Sequence, residues 1–132
     1  MLPLRYERRW RLSSIVILLM VFAAALAPDP WGDLDAPKLL YQDKWLHAMT
    51  FAALAIWFAG QYPRESYWRV AVGLLAFGAL IEICQRLLPY RSAEWLDFFA
   101  DGIGVLAGLL LGVAGLGGWS QRLEQRRVRR SE

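Results

Sequence analysis

Four blocks of apolar residues, at roughly 12–27, 45–61, 70–88 and 95–116, dominate this chain, and each approaches the thickness of a lipid bilayer. At a rise of ~1.5 Å per residue they give helices of roughly 24 to 33 Å, against a hydrocarbon core of about 30 Å. The two shorter blocks therefore need interfacial residues or local thinning to match. Strands are disfavoured, because four of them cannot close a barrel and the blocks lack alternation at period two. With 132 residues and 57% of them apolar, a soluble fold could not cover its own apolar surface. The expected architecture is an all-α membrane protein, a bundle of four transmembrane helices.

The basic residues orient that bundle. Arg5, Arg8, Arg9 and Arg11 precede the first block, Arg64 and Arg69 join the second to the third, and Arg122, Arg126, Arg127, Arg129 and Arg130 follow the fourth. The opposite side holds Lys38, Lys44, Arg86 and Arg91, accompanied by most of the acids. The positive-inside rule then places both termini in the cytoplasm. Trp10, Trp31, Trp45, Trp68, Trp95 and Trp119 fall at expected span ends, where an indole is half apolar and half wet. Only Trp57 lies inside a block. The chain divides into a basic N-terminus (1–11), a four-helix membrane domain (12–117) and a basic tail (118–132) expected to form a juxtamembrane helix near anionic headgroups. The connection 28–43, with Pro28, Pro30, Gly32 and Pro37, is expected to be an outer loop without a long helix. The first block, ending Ala25-Leu26-Ala27, also has the form of a cleavable secretory signal. Pro28 directly after it is a poor cleavage context, and the block is read as a retained span.

Ionisable residues intrude on the apolar blocks at one side only. Asp43, Lys44 and His47 open the second span, Glu82 and Gln85 lie near the end of the third, Arg91 is in the following turn, and Asp97 and Asp101 open the fourth. Lys44 and His47, Glu82 and Gln85, and Asp97 and Asp101 are three or four apart, so each pair shares a helix face. The stripe on the fourth span continues through Gly104, Gly108 and Gly112, a small-xxx-small pattern that lets another helix approach closely. Ala48, Ala52, Ala55 and Ala59 form a small stripe on the second. A charge inside a span costs ~2.5–3.5 kcal/mol on insertion scales, so such groups must be paired, hydrated or interfacial. Two readings follow. In one, Lys44, His47 and Arg91 neutralise Glu82, Asp97 and Asp101 and pin the bundle. In the other, these residues line an outward-facing pocket for a polar headgroup. Lys44, Gln85 and Arg91 would bind it, and His47, Glu82, Asp97 and Asp101 are the candidates for proton transfer. His47 with the three acids could also ligate a metal, but the spacing matches no recognised motif, and no metal or other cofactor is expected. The single cysteine, Cys84, excludes a disulfide framework.

The ordered set Asp43-Lys44, His47, Phe51, Glu82, Gln85, Arg91, Asp97, Asp101 and Gly104 resembles the VanZ-like family of small bacterial integral membrane proteins over about residues 43–112. Asp101 departs from the asparagine expected in many members, which removes a neutral amide donor there. The resemblance implies a multi-pass protein of the bacterial inner membrane linked to the cell envelope, in a family named for glycopeptide resistance. It does not supply a reaction or say whether the chain is an enzyme. Three functions compete: binding of, or action on, a lipid-linked or headgroup-bearing envelope component; a non-catalytic assembly partner of a larger envelope enzyme or transporter; and a small carrier. The carrier is weakest, because no ionisable group falls mid-span and no repeat is visible. The expected partners are membrane lipids and either a lipid-linked precursor or a membrane protein. Nucleic acid is not expected, since the basic residues only flank apolar segments.

Overall fold

The computed structural model of the protein describes residues 1–26, 36–89 and 95–132, with the side chains of 36–43 outside that description. The described secondary structure is helical, with no strand among the described residues. Helix α1 spans Glu7–Leu26, α2 Ala36–Ala59, α3 Tyr67–Arg86, α4 Trp95–Leu111 and α5 Trp119–Ser131. A 3-10 turn, Arg64–Ser66, leads into α3, and a π turn, Gly112–Leu116, ends α4. Three segments, Glu7–Leu26, Arg64–Arg86 and Trp95–Leu116, are long and apolar enough to cross a membrane. They fall on the expected first, third and fourth spans. Helix α2 carries Lys44 and His47 in its N-terminal half and is not among the three.

Helix α2 begins at Ala36 rather than at 45, which corrects the expectation of a loop without a long helix up to residue 43. The apolar run does stop at Lys44, but helix formation does not require apolarity. Pro37 sits in the first turn, where its missing N–H would have had no intrahelical partner anyway. Helix α1 likewise starts before its apolar block, at Glu7, where Glu7 and Arg11 pair one turn apart at 2.5 Å.

The four longer helices run up and down. Contacts at one end join the close of α1 to the close of α3, and the N-terminal half of α2 to that of α4. At the other end Ser14 of α1 meets Trp57 and Gln61 at the close of α2. The tightest seam lies between α2 and α4. A Cβ added at Gly104 would strike the Ala48 backbone, with Ala48 Cα at 3.0 Å, and one at Gly108 would come 2.6 Å from Ala55 Cβ. At Gly112 the neighbours are Ala59 Cβ at 3.0 Å and the Tyr67 hydroxyl at 3.1 Å. The two small stripes thus lie against each other, and the absent side chains let the backbones approach. Around this seam Phe51, Leu54, Val70, Leu74, Ile81 and Val105 form the buried core.

The distribution of residues is inside-out. Leu12, Ile15, Leu19, Met20, Met49, Val72, Ile83, Phe99, Ile103 and Leu106 face outward, while Ser14, Gln61, Glu82, Gln85, Asp97, Asp101 and Ser120 are buried. Water would oppose such an arrangement and hydrocarbon favours it, because lipid solvates the apolar rim and gives polar groups reason to turn inward.

The chain reverses within and just after the π turn. Gly115 and Gly118 have φ of +145° and +71°, conformations that side chains with a Cβ rarely adopt. This break swings α5 back across the end of the bundle, where Gly118 N–H donates to the Ala59 carbonyl at 3.1 Å.

Candidate functional site

Helices α2, α3 and α4 bring the chemistry to one end. Asp101 is 2% exposed, Glu82 and Gln85 are each 3%, and Asp97 is 4%. Each is buried because its helix face points at a neighbour: Asp97 and Asp101 share the α4 face that continues into the glycine seam, and Glu82 stands one turn beyond Gly78 on α3. His47 Nδ1 and Asp101 Oδ1 are 2.7 Å apart, joining α2 to α4. A carboxylate on one ring nitrogen sets the tautomer of an imidazole and fixes the orientation of its ring. The second oxygen of Asp101 rests against Gly78, where an added Cβ would come within 2.9 Å of it and 3.3 Å of the Phe51 ring. Gly78 is therefore the notch in α3 that admits the Asp101 carboxylate.

Around Glu82 lie Asp97, Arg86, His47 and Asp101, all within electrostatic reach. Arg86 itself lies over the Trp95 ring at 4.6 Å and ties the end of α3 to the start of α4. Gln85 Nε2 donates to the Ala25 carbonyl at 2.9 Å, satisfying a C-terminal carbonyl of α1. That leaves two buried oxygens, Glu82 Oε1 and Gln85 Oε1, with no hydrogen-bond partner among the described residues. They lie one turn apart on α3. Both are acceptors, and in a buried setting each costs about 1–3 kcal/mol or more unless a donor reaches it.

Of the residues singled out from sequence, the structure thus gathers His47, Glu82, Gln85, Asp97 and Asp101. Lys44 is half-buried on α2, one turn before His47. Asp43 and Arg91 lie outside the described side chains. Gly104, Gly108 and Gly112 form the seam with α2. Among the described residues, no three His, Cys, Asp or Glu side chains are grouped as metal ligands.

The opposite end holds a second polar assembly that the sequence reading did not single out. Trp10, Trp57 and Trp119 pack with ring centroids 5.4 to 5.6 Å apart. Trp57 Nε1 donates to Ser14 Oγ at 2.9 Å, and Ser14 in turn faces the Trp10 carbonyl at 2.9 Å and Gln61 Oε1 at 3.2 Å. Trp119 Nε1 donates to the Ile56 carbonyl at 2.9 Å, and the Ser120 hydroxyl donates to the Gly60 carbonyl. Glu124 receives Trp10 Nε1 at 2.8 Å and the backbone N–H groups of Arg5 and Tyr6 at 2.8 and 3.1 Å. Partial burial pushes the Glu124 carboxyl up, but these three donors and the Arg5 charge outweigh it and hold the group below its ordinary value. Tryptophans at span ends read as lipid-interface anchors, yet two of them, Trp10 and Trp119, join Trp57 in anchoring α5 to the bundle. Trp57, the one tryptophan inside a block, was the available signal.

Neither a family model, nor a curated protein, nor a solved structure matches the chain.

Proposed function

We propose that this chain is a VanZ-like multi-pass protein of the bacterial inner membrane, with four spans and both termini in the cytoplasm. Its polar cluster would face outward and bind, or act on, a lipid-linked or headgroup-bearing component of the cell envelope. The observation that carries the reading is the pair of buried, unpartnered acceptors, Glu82 Oε1 and Gln85 Oε1, beside the His47–Asp101 pair. Two acceptors call for donors, so the chemistry favoured is a headgroup bearing hydroxyl or ammonium groups. In this arrangement Glu82 and Gln85 hold the donor groups, and Lys44 and Arg91 meet a phosphate or carboxylate on the same component. His47, oriented by Asp101, stands as the proton acceptor, with Asp97 adding negative charge nearby.

The four-span topology rests on α2, which at 24 residues is about 36 Å long and packs its alanine stripe against α4. The orientation rests on the arginines at the end where α5 docks. Both support the reading that the acid-rich end is extracytoplasmic. The assembly-partner alternative is weaker, because the small-residue face on which a partner helix would dock, Gly104, Gly108 and Gly112, is already filled by α2.

The test is substitution at matched membrane abundance: Glu82→Gln, Arg91→Gln and Asp101→Asn, each assayed for envelope integrity in a strain depending on this chain. Loss of the phenotype in all three supports a site. Wild-type behaviour of all three would sink it.

A further inference from the structure

A separate feature lies on the arginine-rich half of the bundle. Helices α1 and α3 enclose a groove of about 280 Å³ over the end of α2, lined by Leu18, Phe58, Tyr62, Arg69, Gly73 and Phe77. The walls are apolar and aromatic, and Phe58 and Tyr62 pack in a tilted arrangement along one side with ring centroids 6.3 Å apart. Arg69 and Tyr62 stand at the mouth, at the start of α3 and past the end of α2, where the bundle meets its basic end.

Gly73 is the residue that needs explaining. It sits inside α3 with ordinary helical backbone, and a Cβ built on it meets nothing within 4 Å. Glycine in a helix interior costs roughly 0.5–1 kcal/mol relative to alanine. Gly78, Gly104, Gly108 and Gly112 are each accounted for by a neighbour that a side chain would strike; an added Cβ at Gly102 would make ordinary contact with Leu75 at 3.7 Å, and among the described residues one at Gly73 would meet nothing. What its bareness does is deepen the groove.

The shape of the slot selects its occupant. The positions four residues to either side of Gly73 are Arg69 and Phe77, both large, so Gly73 is a single gap on this face and not part of a repeated small stripe. A partner helix, about 10 Å across, needs small residues repeated over several turns to seat itself, and this face does not offer them. A single acyl chain does fit a narrow apolar slot. At the mouth, the Arg69 guanidinium lies over the Trp68 ring at 5.3 Å, and among the described residues no carboxylate is paired with it. An arginine stacked on indole at headgroup level, above an apolar slot, is complementary to a phosphate above a hydrocarbon tail.

We infer that this groove is a binding site for one anionic phospholipid, with its phosphate on Arg69 and an acyl chain laid over Gly73 between Leu18 and Phe77. The site is independent of the polar cluster at the other end.

The full chain, reconstituted into phosphatidylcholine vesicles containing a minor share of phosphatidylglycerol with a photo-crosslinking group on its acyl chain, tests this. Illumination should label the walls of the groove, at Leu18, Phe58 or Phe77. Gly73→Leu should lower that labelling roughly ten-fold by filling the slot. Arg69→Gln should lower labelling by phosphatidylglycerol about five-fold, to the level given by an equally tagged phosphatidylcholine. Size-exclusion profile and thermal midpoint report whether Gly73→Leu folds; should it not, Leu18→Trp narrows the slot from the opposite wall and must give the same loss. Labelling that is equal for the two lipids in the wild type, or unchanged in a folded groove-filling variant, overturns the inference. So does chain-to-chain crosslinking in place of lipid labelling, which would make the face a contact between copies.

Discussion

The two ends of the helical bundle bury polar side chains to similar extents but differ in what those side chains bind. At the arginine-rich end, Ser14, Gln61, Ser120 and Glu124 close their hydrogen bonds on each other, on indole N–H groups and on main-chain carbonyls. At the acid-rich end, His47 and Asp101 are joined, while Glu82 and Gln85 each keep one buried oxygen with no partner among the described residues. A satisfied network in a low-dielectric interior rigidifies the fold. An unsatisfied acceptor calls for a donor from outside the described side chains, a water or a ligand. The first assembly reads as architecture, fixing α5 to the bundle, and the second is where the proposed function sets its site.

The glycine seam holds both ends together, so it should break first and furthest. Gly108→Leu forces a side chain against the Ala52 carbonyl and Ala55, and overpacking of this kind costs about 3 kcal/mol or more because backbone atoms cannot move aside. Purified yield and thermal midpoint should both collapse; a midpoint near wild type would mean that α2 and α4 do not pack as described.

Next in size is the tryptophan cluster. Trp119→Ala removes the ring that lies on Gly60 and the donor to the Ile56 carbonyl, with an expected loss of about 3 kcal/mol. The readable consequence is detachment of α5, seen as rapid trypsin cleavage at Arg122 to Arg130 while the apolar helices stay intact.

A matched pair contrasts the two ends directly. Gln61→Met should destabilise by roughly 1–3 kcal/mol, because it strands the polar groups around Ser14. Glu82→Met should be neutral or stabilising by ~1 kcal/mol, since a buried acceptor without a partner is replaced by an apolar chain of similar length. Equal losses at the two positions would erase the distinction between architecture and site.

The smallest effect concerns pH. Glu124 has its folded-state value depressed below the ordinary 4.5, so its contribution to docking α5 is fully present above that value. The contribution is lost as pH falls through the lower folded-state value. Hydrogen exchange along α5 should therefore rise under acid conditions in the wild type. Glu124→Gln should exchange faster at neutral pH and lose that acid dependence; identical exchange in the two proteins would remove Glu124 as the latch.

Much of this was legible in the residues, for physical reasons that also set the limit. Apolar blocks and their flanking arginines report burial in lipid, so three membrane-length helices follow from composition along the chain. Helical spacing reports which residues share a face, so Glu82 with Gln85 and Asp97 with Asp101 could be paired before any fold was known. Hydropathy says little about where a helix begins, and α2 starts at Ala36 because charged Asp43 and Lys44 do not interrupt a helix. Spacing along one helix also cannot say which partner a face meets. The sequence named the glycine and alanine stripes separately, and only the fold lays them against each other. Docking of α5 was the least legible feature, because Glu124 is one acid in a basic tail and its three donors come from the far end of the chain.

The central claim is that Glu82 Oε1 and Gln85 Oε1 lack a donor among the described residues because a donor-bearing envelope component supplies one. An experimental structure of the chain, isolated in its native membrane patch without detergent exchange, addresses this directly. The account predicts density for a headgroup with donor atoms about 3 Å from both oxygens and His47 close to the same group. A cluster in which both oxygens are paired within the protein, or met only by water with no headgroup beside His47, would contradict it.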